Sequence, residues 1–268
     1  MKLAQLGNIT GLIIDMDGVL WRDSEPIGDL PSIFDRIRSM GLKFILATNN
    51  ATRTVEQYHN KIFKFGVTLE DWQVITSAEA TAIFLKRKYS DGLNAYVVGQ
   101  PGLKDTLRSW GINVVDETAK DVHVVVASLD YSLTYEKLKH ASLLVRSGCE
   151  FIGTNSDVTF PTPEGLIPGS GTVVGAIELA SEKKAIMIGK PEPLLYQMAL
   201  DRLGLKPEVV LGIGDRLETD IAGAQAAGIH TALVLSGVST QDQAECYQPS
   251  PEIIAANLAE ILNMSGQN

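Results

Sequence analysis

Short apolar runs alternate with amphipathic stretches along most of the chain. Near the N-terminus LIID (12–15) precedes a helical pattern at 31–40, and KFILATN (43–49) precedes another at 54–65. After residue 184 the alternation returns, with AIMIGK, PLLYQMALDRLG, VVLGIGD, TDIAGAQAAG and TALVLSG. Strands that alternate with helices in this way are typical of an open parallel sheet with helices on both faces. The two stretches therefore predict one three-layer α/β/α core.

A second alternating set lies between these two stretches. It contains the strand candidates AYVVG (95–99), HVVVASL (123–129) and EFIGTN (150–155), and a helical pattern near 134–147. Because the flanking stretches fit one sheet, the middle set predicts an inserted α/β domain. We expect this domain to span 79–179, within a core built from 1–78 and 180–268.

Composition narrows the kind of partner. The chain has 268 residues, of which 45% are hydrophobic, with a net charge of −9 and no block of Lys or Arg. This balance argues against a nucleic-acid or membrane surface as the main partner, because both attract basic patches. No run approaches the roughly 20 apolar residues that span a bilayer. Cys149 and Cys246 are too few for a disulfide framework or zinc site, so we expect a cytoplasmic protein.

Polar residues follow the predicted strands of the core. The carboxyl ends of parallel strands converge on one crevice, so side chains that are distant in sequence meet there. The candidates at these ends are Asp15, Asp17, Thr48, Asn49, Lys190, Asp215 and Asp220. Taken singly, Thr48-Asn49 also fits a helix cap and turn, Lys190 a solvated loop lysine, and Asp220 an N-cap.

Several carboxylates in one crevice repel one another unless a cation accompanies them. Ligands that are all oxygen favour a hard ion, and Mg²⁺ suits the bridging of carboxylate and phosphate oxygens. The lysine and the hydroxyl would neutralise a bound anion. Together these groups predict in-line phosphoryl transfer, with a nucleophile, charge neutralisation and positioning in one site.

The segments DMDGV, TNN, GKP and GDRLETD occur in the order of the four motifs of the haloacid dehalogenase-like superfamily, which the chain closely resembles. The large insertion and the segment GTNSDVTFPTPEGLIPGSG (153–171) resemble the C2 cap of the NagD-like and p-nitrophenyl phosphatase subfamily, IIA. The resemblance implies a Rossmann-like core with an inserted C2-type cap. It also implies a phosphatase.

Carried over residue by residue, the resemblance implies that Asp15 is the nucleophile and Asp17 the general acid and base. Mg²⁺ would bind the Asp15 carboxylate, the backbone carbonyl of Asp17 and the Asp215 carboxylate, with Asp220 close by, directly outside this set or through water.

The resemblance gives the remaining candidates roles in binding. Thr48, Asn49 and Lys190 would hold the phosphoryl oxygens. In the cap, Asn155 and Asp157 would belong to the surface that faces the substrate. Trp21 follows DMDGV closely, and we interpret it as a packing residue near the entrance.

These features predict a Mg²⁺-dependent phosphatase that hydrolyses small phosphomonoesters through an aspartyl-phosphate on Asp15. Two alternatives stay open: a phosphotransferase or mutase on the same scaffold, and a non-catalytic protein that binds phosphometabolites. The sequence leaves open which small organic phosphate is the substrate and which oligomer forms, a homodimer included.

Overall fold

A computed structural model describes residues 8–89, 92–162 and 164–263. The strands are β1 Gly11–Ile14, β2 Trp21–Arg22, β3 Glu25–Pro26, β4 Lys43–Thr48, β5 Val74–Thr76, β6 Asn94–Val98, β7 Asn113–Val115, β8 Val124–Ala127, β9 Glu150–Gly153, β10 Thr159–Thr162, β11 Gly165–Pro168, β12 Ile186–Met187, β13 Val210–Gly214, β14 His230–Val234 and β15 Ile253–Ala255. The α-helices are α1 Leu30–Ser39, α2 Val55–Lys64, α3 Ser77–Lys88, α4 Pro101–Ser109, α5 Tyr135–Arg146, α6 Ser170–Ser181, α7 Leu194–Leu203, α8 Ala222–Ala226, α9 Gln241–Cys246 and α10 Leu258–Ile261.

The chain divides into two compact units. The first unit consists of the described residues up to Thr48, of Glu56–Ile75, and of those from Lys190 onward. The second unit consists of the described residues of Asn49–Val55 and Thr76–Gly189.

The first unit is built on a six-stranded sheet in the order β15-β14-β13-β1-β4-β5. The strand β1 pairs in parallel with β13 on one side and β4 on the other. Its four residues are all buried, which explains why its sequence is a continuous apolar run without polar alternation. Because the chain leaves β1 for β4 in one direction and reaches β13 in the other, β1 lies where the strand order reverses. Ligands of open α/β sheets bind at such a point.

Helices of the first unit cover this sheet through apolar stripes. Helix α1 begins at an Asp29 cap, whose carboxylate accepts from the backbone of Ser32. Its buried residues recur at helical spacing, and Phe34 packs against Phe44 of β4 with ring centroids 5.0 Å apart. The cap and the stripe together fix where α1 starts and which face it buries.

The second unit has its own parallel sheet, in the order β12-β9-β8-β6-β7. Its core is formed by side chains of β6, β8 and β9 and of the helices α5 and α6, among them Val125, Phe151 and Ile177. The antiparallel pair β10 and β11 completes the unit. The two parallel sheets with their helices confirm an α/β, Rossmann-like architecture with an inserted second domain.

The boundaries differ from those expected, 79–179. The second unit starts at Thr76, also includes Asn49–Val55, and continues to Gly189. We expected AIMIGK to provide a strand of the first sheet, but β12 pairs with β9 of the second unit, with Ile186 opposite Ile152. The expectation that AIMIGK joins the first sheet is therefore wrong. The sequence of so short an apolar run does not indicate which of two sheets it joins.

Among the described residues, no helix combines the length and the apolar character that a bilayer crossing requires.

Candidate active site

The end of β1 brings the first aspartate next to two neighbouring strands. Ile14 lies opposite Leu46 of β4 and Ile213 of β13, and the backbone N–H of Asp15 donates to the Ile213 carbonyl at 2.8 Å. In this register the residues that follow each strand, Asp15 and Asp215, emerge at the same edge of the sheet. Thr48, the last residue of β4, lies at that edge too and is buried.

Three carboxylates gather at this edge. Asp15, Asp215 and Asp220 each offer an oxygen within 4.8 Å of the others, and all three side chains are buried. Lys190, also buried, adds one ammonium to the group. With all four groups ionised, three carboxylates and one ammonium would carry two net negative charges in a buried volume, and the atoms that could bind a metal are all hard carboxylate oxygens. The residues therefore fit a divalent cation such as Mg²⁺.

Lys190 connects the acids. Its Nζ donates to Oδ1 of Asp15 at 2.6 Å, to Oδ1 of Asp220 at 2.7 Å and to the backbone carbonyl of Ala47 at 3.0 Å. These three acceptors, on Asp15, Asp220 and Ala47, all belong to the first unit. The lysine is a fixed point charge beside Asp15.

Burial controls the protonation of these groups. It raises the pKa of Asp15 well above its usual range, an effect that Lys190 opposes and that Asp220 and Asp215 reinforce. It also raises the pKa of Asp215, to about 7, with the charge of Asp220 as the next cause. Burial alone would lower the pKa of Lys190, but Asp15 and Asp220 outweigh it and the pKa lies well above its usual range. The lysine is therefore charged, and the acids need a further cation to ionise together.

Glycines give the acids their space. A side-chain carbon built on Gly237 would overlap the carboxylate of Asp215, and one built on Gly214 would overlap the side chain of Asp220. Gly18 also faces the Asp215 carboxylate and has a φ of 88°, a backbone conformation that favours glycine. The packing around Asp215 and Asp220 thus explains three glycines of these motifs: Gly18 of DMDGV, Gly214 of GIGD and Gly237 of SGV.

Asp220 is held from both sides. Its Oδ2 accepts from the backbone N–H groups of Asp215 and Arg216, at 3.1 and 3.0 Å. It lies in a π-helical turn, Leu217–Ile221, and its own carbonyl accepts from the hydroxyl of Tyr196 at 2.9 Å. We expected Asp220 either outside the ligand set or as an N-cap. The structure places its carboxylate inside the acidic cluster.

Asp17 has a partner that the sequence interpretation missed. The indole Nε1–H of Trp21 donates to Oδ1 of Asp17 at 2.7 Å. We interpreted Trp21 as a packing residue near the entrance, without a hydrogen bond to Asp17. The signal that could have found it is the spacing of four residues between Asp17 and Trp21 with Gly18 between them, because a turn at the glycine allows the chain to fold back onto Asp17.

The remaining candidates lie in the second unit and contact one another. The amide of Asn49 donates to Oδ2 of Asp157 at 3.0 Å, and the amide of Asn155 donates to the backbone carbonyl of Asn49 at 2.7 Å. Asn155 is only 2% exposed, and its amide also donates to Ser170 Oγ at 3.2 Å. In this unit Asn155 thus faces the interior, where it supports the backbone of Asn49. Its part in substrate specificity stays a prediction.

Comparison with known proteins identifies the family of the chain. Residues 12–113 match the family model described as haloacid dehalogenase-like hydrolase, and residues 187–261 match that of the HAD-hydrolase-like family. The acid sugar phosphatase of Staphylococcus saprophyticus is 32% identical over 255 residues, which cover 95% of this chain and 97% of that protein.

Solved structures show the same likeness. The 4-nitrophenylphosphatase of Thermotoga maritima superimposes with a TM-score of 0.90 at 32% identity, covering 96% of this chain and 98% of that one. NagD from E. coli K-12 superimposes with a TM-score of 0.85 at 33% identity, covering 94% and 98%. The chain therefore belongs to the haloacid dehalogenase-like hydrolases, as an enzyme of the group that contains NagD and the p-nitrophenyl phosphatases.

Proposed function

We propose that this enzyme is a Mg²⁺-dependent phosphatase that hydrolyses small phosphomonoesters through an aspartyl-phosphate on Asp15. The observation that supports this best is the ion pair between Lys190 and Asp15, 2.6 Å long, within a cluster of three buried carboxylates. A carboxylate in such a cluster is poised to attack phosphorus, because the lysine and a cation compensate the charge of the incoming phosphoryl group.

In the first step the Asp15 carboxylate forms a bond to phosphorus and the bond from phosphorus to the ester oxygen breaks. The departing alkoxide takes a proton from the carboxyl group of Asp17. The products of this step are the free alcohol, the phosphorylated Asp15 and an ionised Asp17. Proton donation of this kind contributes about 10²–10⁴-fold to a rate.

In the second step a water molecule attacks phosphorus and gives a proton to the Asp17 carboxylate. The bond from phosphorus to Asp15 breaks, inorganic phosphate leaves, and both aspartates return to their starting states. Asp17 thus acts as acid and then as base, while Lys190 stays charged beside Asp15 throughout.

Asp15, Asp215 and the backbone carbonyl of Asp17 would hold Mg²⁺, with Asp220 beside them. When bound, the ion neutralises charge on the phosphoryl oxygens. Thr48 and Asn49 would donate hydrogen bonds to the same oxygens. Asn155 and Asp157 both contact Asn49, so we propose that they influence phosphate binding through it.

Small organic phosphates are the proposed substrates, because relatives carry names such as acid sugar phosphatase and 4-nitrophenylphosphatase. We propose a cytoplasmic location, since Cys149 and Cys246 are both free thiols.

The deciding experiment measures inorganic phosphate released from a panel of sugar phosphates, nucleoside monophosphates, phosphoglycolate, pyridoxal phosphate and p-nitrophenyl phosphate, with Mg²⁺ and with a chelator. We expect release with Mg²⁺ only. Transfer of the phosphoryl group to an added alcohol without phosphate release would instead indicate a phosphotransferase or mutase. Binding of phosphates without turnover would indicate a non-catalytic protein.

Two variants separate the roles of the aspartates. Asp15→Asn should yield no phosphorylated protein after an acid quench with radiolabelled substrate. Asp17→Asn should accumulate phosphorylated protein from p-nitrophenyl phosphate, whose leaving group needs little proton donation, because breakdown of the intermediate loses its base. Near-wild-type turnover in both variants would contradict the assignment.

A further inference from the structure

We propose that Trp21 is a positioning residue for the general acid and base: its indole N–H fixes the Asp17 carboxylate in the orientation that proton transfer requires. The inference rests on the proposed function, which gives Asp17 its part in catalysis. It starts from one contact within the first unit, the hydrogen bond of 2.7 Å from Trp21 Nε1 to Asp17 Oδ1.

A tight backbone turn between Asp17 and Trp21 brings the two side chains together. The N–H of Gly18 donates to the Trp21 carbonyl at 2.8 Å, and Asp17 and Trp21 form a β-bridge. Gly18 makes the turn with a φ of 88°. The chain therefore folds back within the five residues from Asp17 to Trp21. The backbone itself places the indole beside the carboxylate.

The indole itself is held firmly. Trp21 is fully buried and packs on the rings of Tyr58 and Phe65, at centroid distances of 6.4 and 5.9 Å. The ammonium of Lys61 lies 4.1 Å from the centre of the indole and also donates to the Asp23 carbonyl at 2.8 Å. A cation over the ring draws electron density from it, which makes the indole N–H a stronger donor to Asp17.

This arrangement distinguishes the two oxygens of Asp17. An indole nitrogen donates and cannot accept, so Oδ1, as its acceptor, is tied to the N–H. The transferable proton is then carried by Oδ2, on the opposite side of the carboxyl group. Fixing which oxygen carries the proton also fixes its direction, and general acid catalysis depends on that geometry before anything else.

The test compares two esters of similar shape, phenyl phosphate and p-nitrophenyl phosphate. Phenol is the weaker acid, so its departure needs the proton of Asp17 more. The measured quantity is the ratio of kcat/KM for the two esters, which reports steps up to leaving-group departure and does not change with the amount of folded enzyme. Trp21→Phe keeps an aromatic ring and removes the N–H.

We expect Trp21→Phe to lower kcat/KM for phenyl phosphate on the order of tenfold more than for p-nitrophenyl phosphate, with the loss in kcat, since positioning errors of about 1 Å cost up to 10²-fold. Replacement of Trp21 by 3-benzothienylalanine, which keeps the bicyclic shape without the N–H, should give the same change. Trp72→Phe, the same substitution at a residue 40% exposed, is the matched control and should leave the ratio as in the wild type.

An equal loss for both esters in Trp21→Phe would overturn the inference and leave the proposed function intact. A shift of the ratio in Trp72→Phe as large as in Trp21→Phe would also overturn it. A wild-type enzyme that releases phosphate from no ester of the panel would overturn the proposed function and this inference with it.

Discussion

The ammonium of Lys190 and the carboxylate of Asp15 form a buried ion pair of 2.6 Å, and the same ammonium lies 2.7 Å from Asp220. Lys190 is thus a positive charge that contacts two members of the acidic cluster at once. Its removal leaves the cluster with three carboxylates and no ammonium, and burial then favours the protonated form of Asp15.

We therefore predict that Lys190→Met lowers kcat/KM for p-nitrophenyl phosphate by about 10²–10³-fold, the range found when a preorganised charge donor is lost. Lys206→Met is the control, because Lys206 is exposed in the same unit. A Lys190→Met enzyme with more than half of the wild-type activity would contradict the role of the pair.

The pKa of Asp215, raised to about 7 by burial and then by Asp220, predicts a pH dependence of stability. The unfolded chain loses this proton near the ordinary value of 3.8, so the folded, metal-free protein binds it more tightly. The stability due to Asp215 is then fully present below the unfolded pKa and is lost as the pH rises through about 7. Thermal unfolding of metal-free protein across this window should give a falling Tm.

Mg²⁺ favours the ionised acids, so it should raise Tm more at about pH 8 than at about pH 5. Asp215→Asn removes the titrating group, and we expect it to flatten the pH dependence and to abolish most of the stabilisation by Mg²⁺. If Mg²⁺ stabilises the wild type equally at both pH values, Asp215 is not the titrating ligand.

The overlap between Gly237 and Asp215 gives a steric prediction. Gly237→Ala should displace the Asp215 carboxylate, because the added methyl group has no other space. We expect Mg²⁺ affinity, measured by titration of the activity and by calorimetry, to fall by about 10–100-fold. Gly175→Ala is the control. Gly175 lies inside α6, and outside its own stretch of helix no heavy atom lies within 4 Å of the added carbon, so this variant should bind Mg²⁺ as the wild type does.

The hydrogen bond from Asn155 to the backbone of Asn49 gives a prediction for the second unit. Asn155→Ala removes the amide that donates to the buried carbonyl of Asn49, and we expect the free energy of unfolding to fall by about 1–3 kcal/mol. Because Asn49 is proposed to bind phosphate, we also expect a higher KM. Asn113→Ala removes an amide whose hydrogen bond is exposed, and serves as the control in both thermal unfolding and kinetics. An unchanged KM in Asn155→Ala would separate Asn155 from phosphate binding.

Much of the first unit follows from its periodicity. The pattern at 31–40 corresponds to α1, Leu30–Ser39, and that at 54–65 to α2, Val55–Lys64. Strand ends identify the acidic cluster because parallel register is transmitted from strand to strand, so Asp15 and Asp215 meet although they are 200 positions apart in the sequence. Sequence patterns thus predict the helices, whose periodicity is local. They also predict residues at strand ends, because parallel pairing aligns those ends.

The features that the sequence did not predict depend on tertiary contacts. The strand β12 belongs to the second sheet because it pairs with β9. Its two apolar residues would fit either sheet, so the sequence does not indicate which one it joins. The hydrogen bond of Trp21 to Asp17 depends on the turn at Gly18 and on the ring of Tyr58 from α2. Tryptophan is more often a packing residue, and only its surroundings distinguish the two uses.

The burial of Trp21 beside Asp17 also gives the enzyme a natural optical probe. Of its three tryptophans, Trp72 and Trp110 are 40% and 37% exposed, whereas Trp21 is enclosed. A variant in which phenylalanine replaces Trp72 and Trp110 would retain one tryptophan, Trp21, whose indole is hydrogen-bonded to the Asp17 carboxylate. The wavelength and intensity of its emission would report changes in the surroundings of the Asp17 carboxylate in real time, without any attached dye.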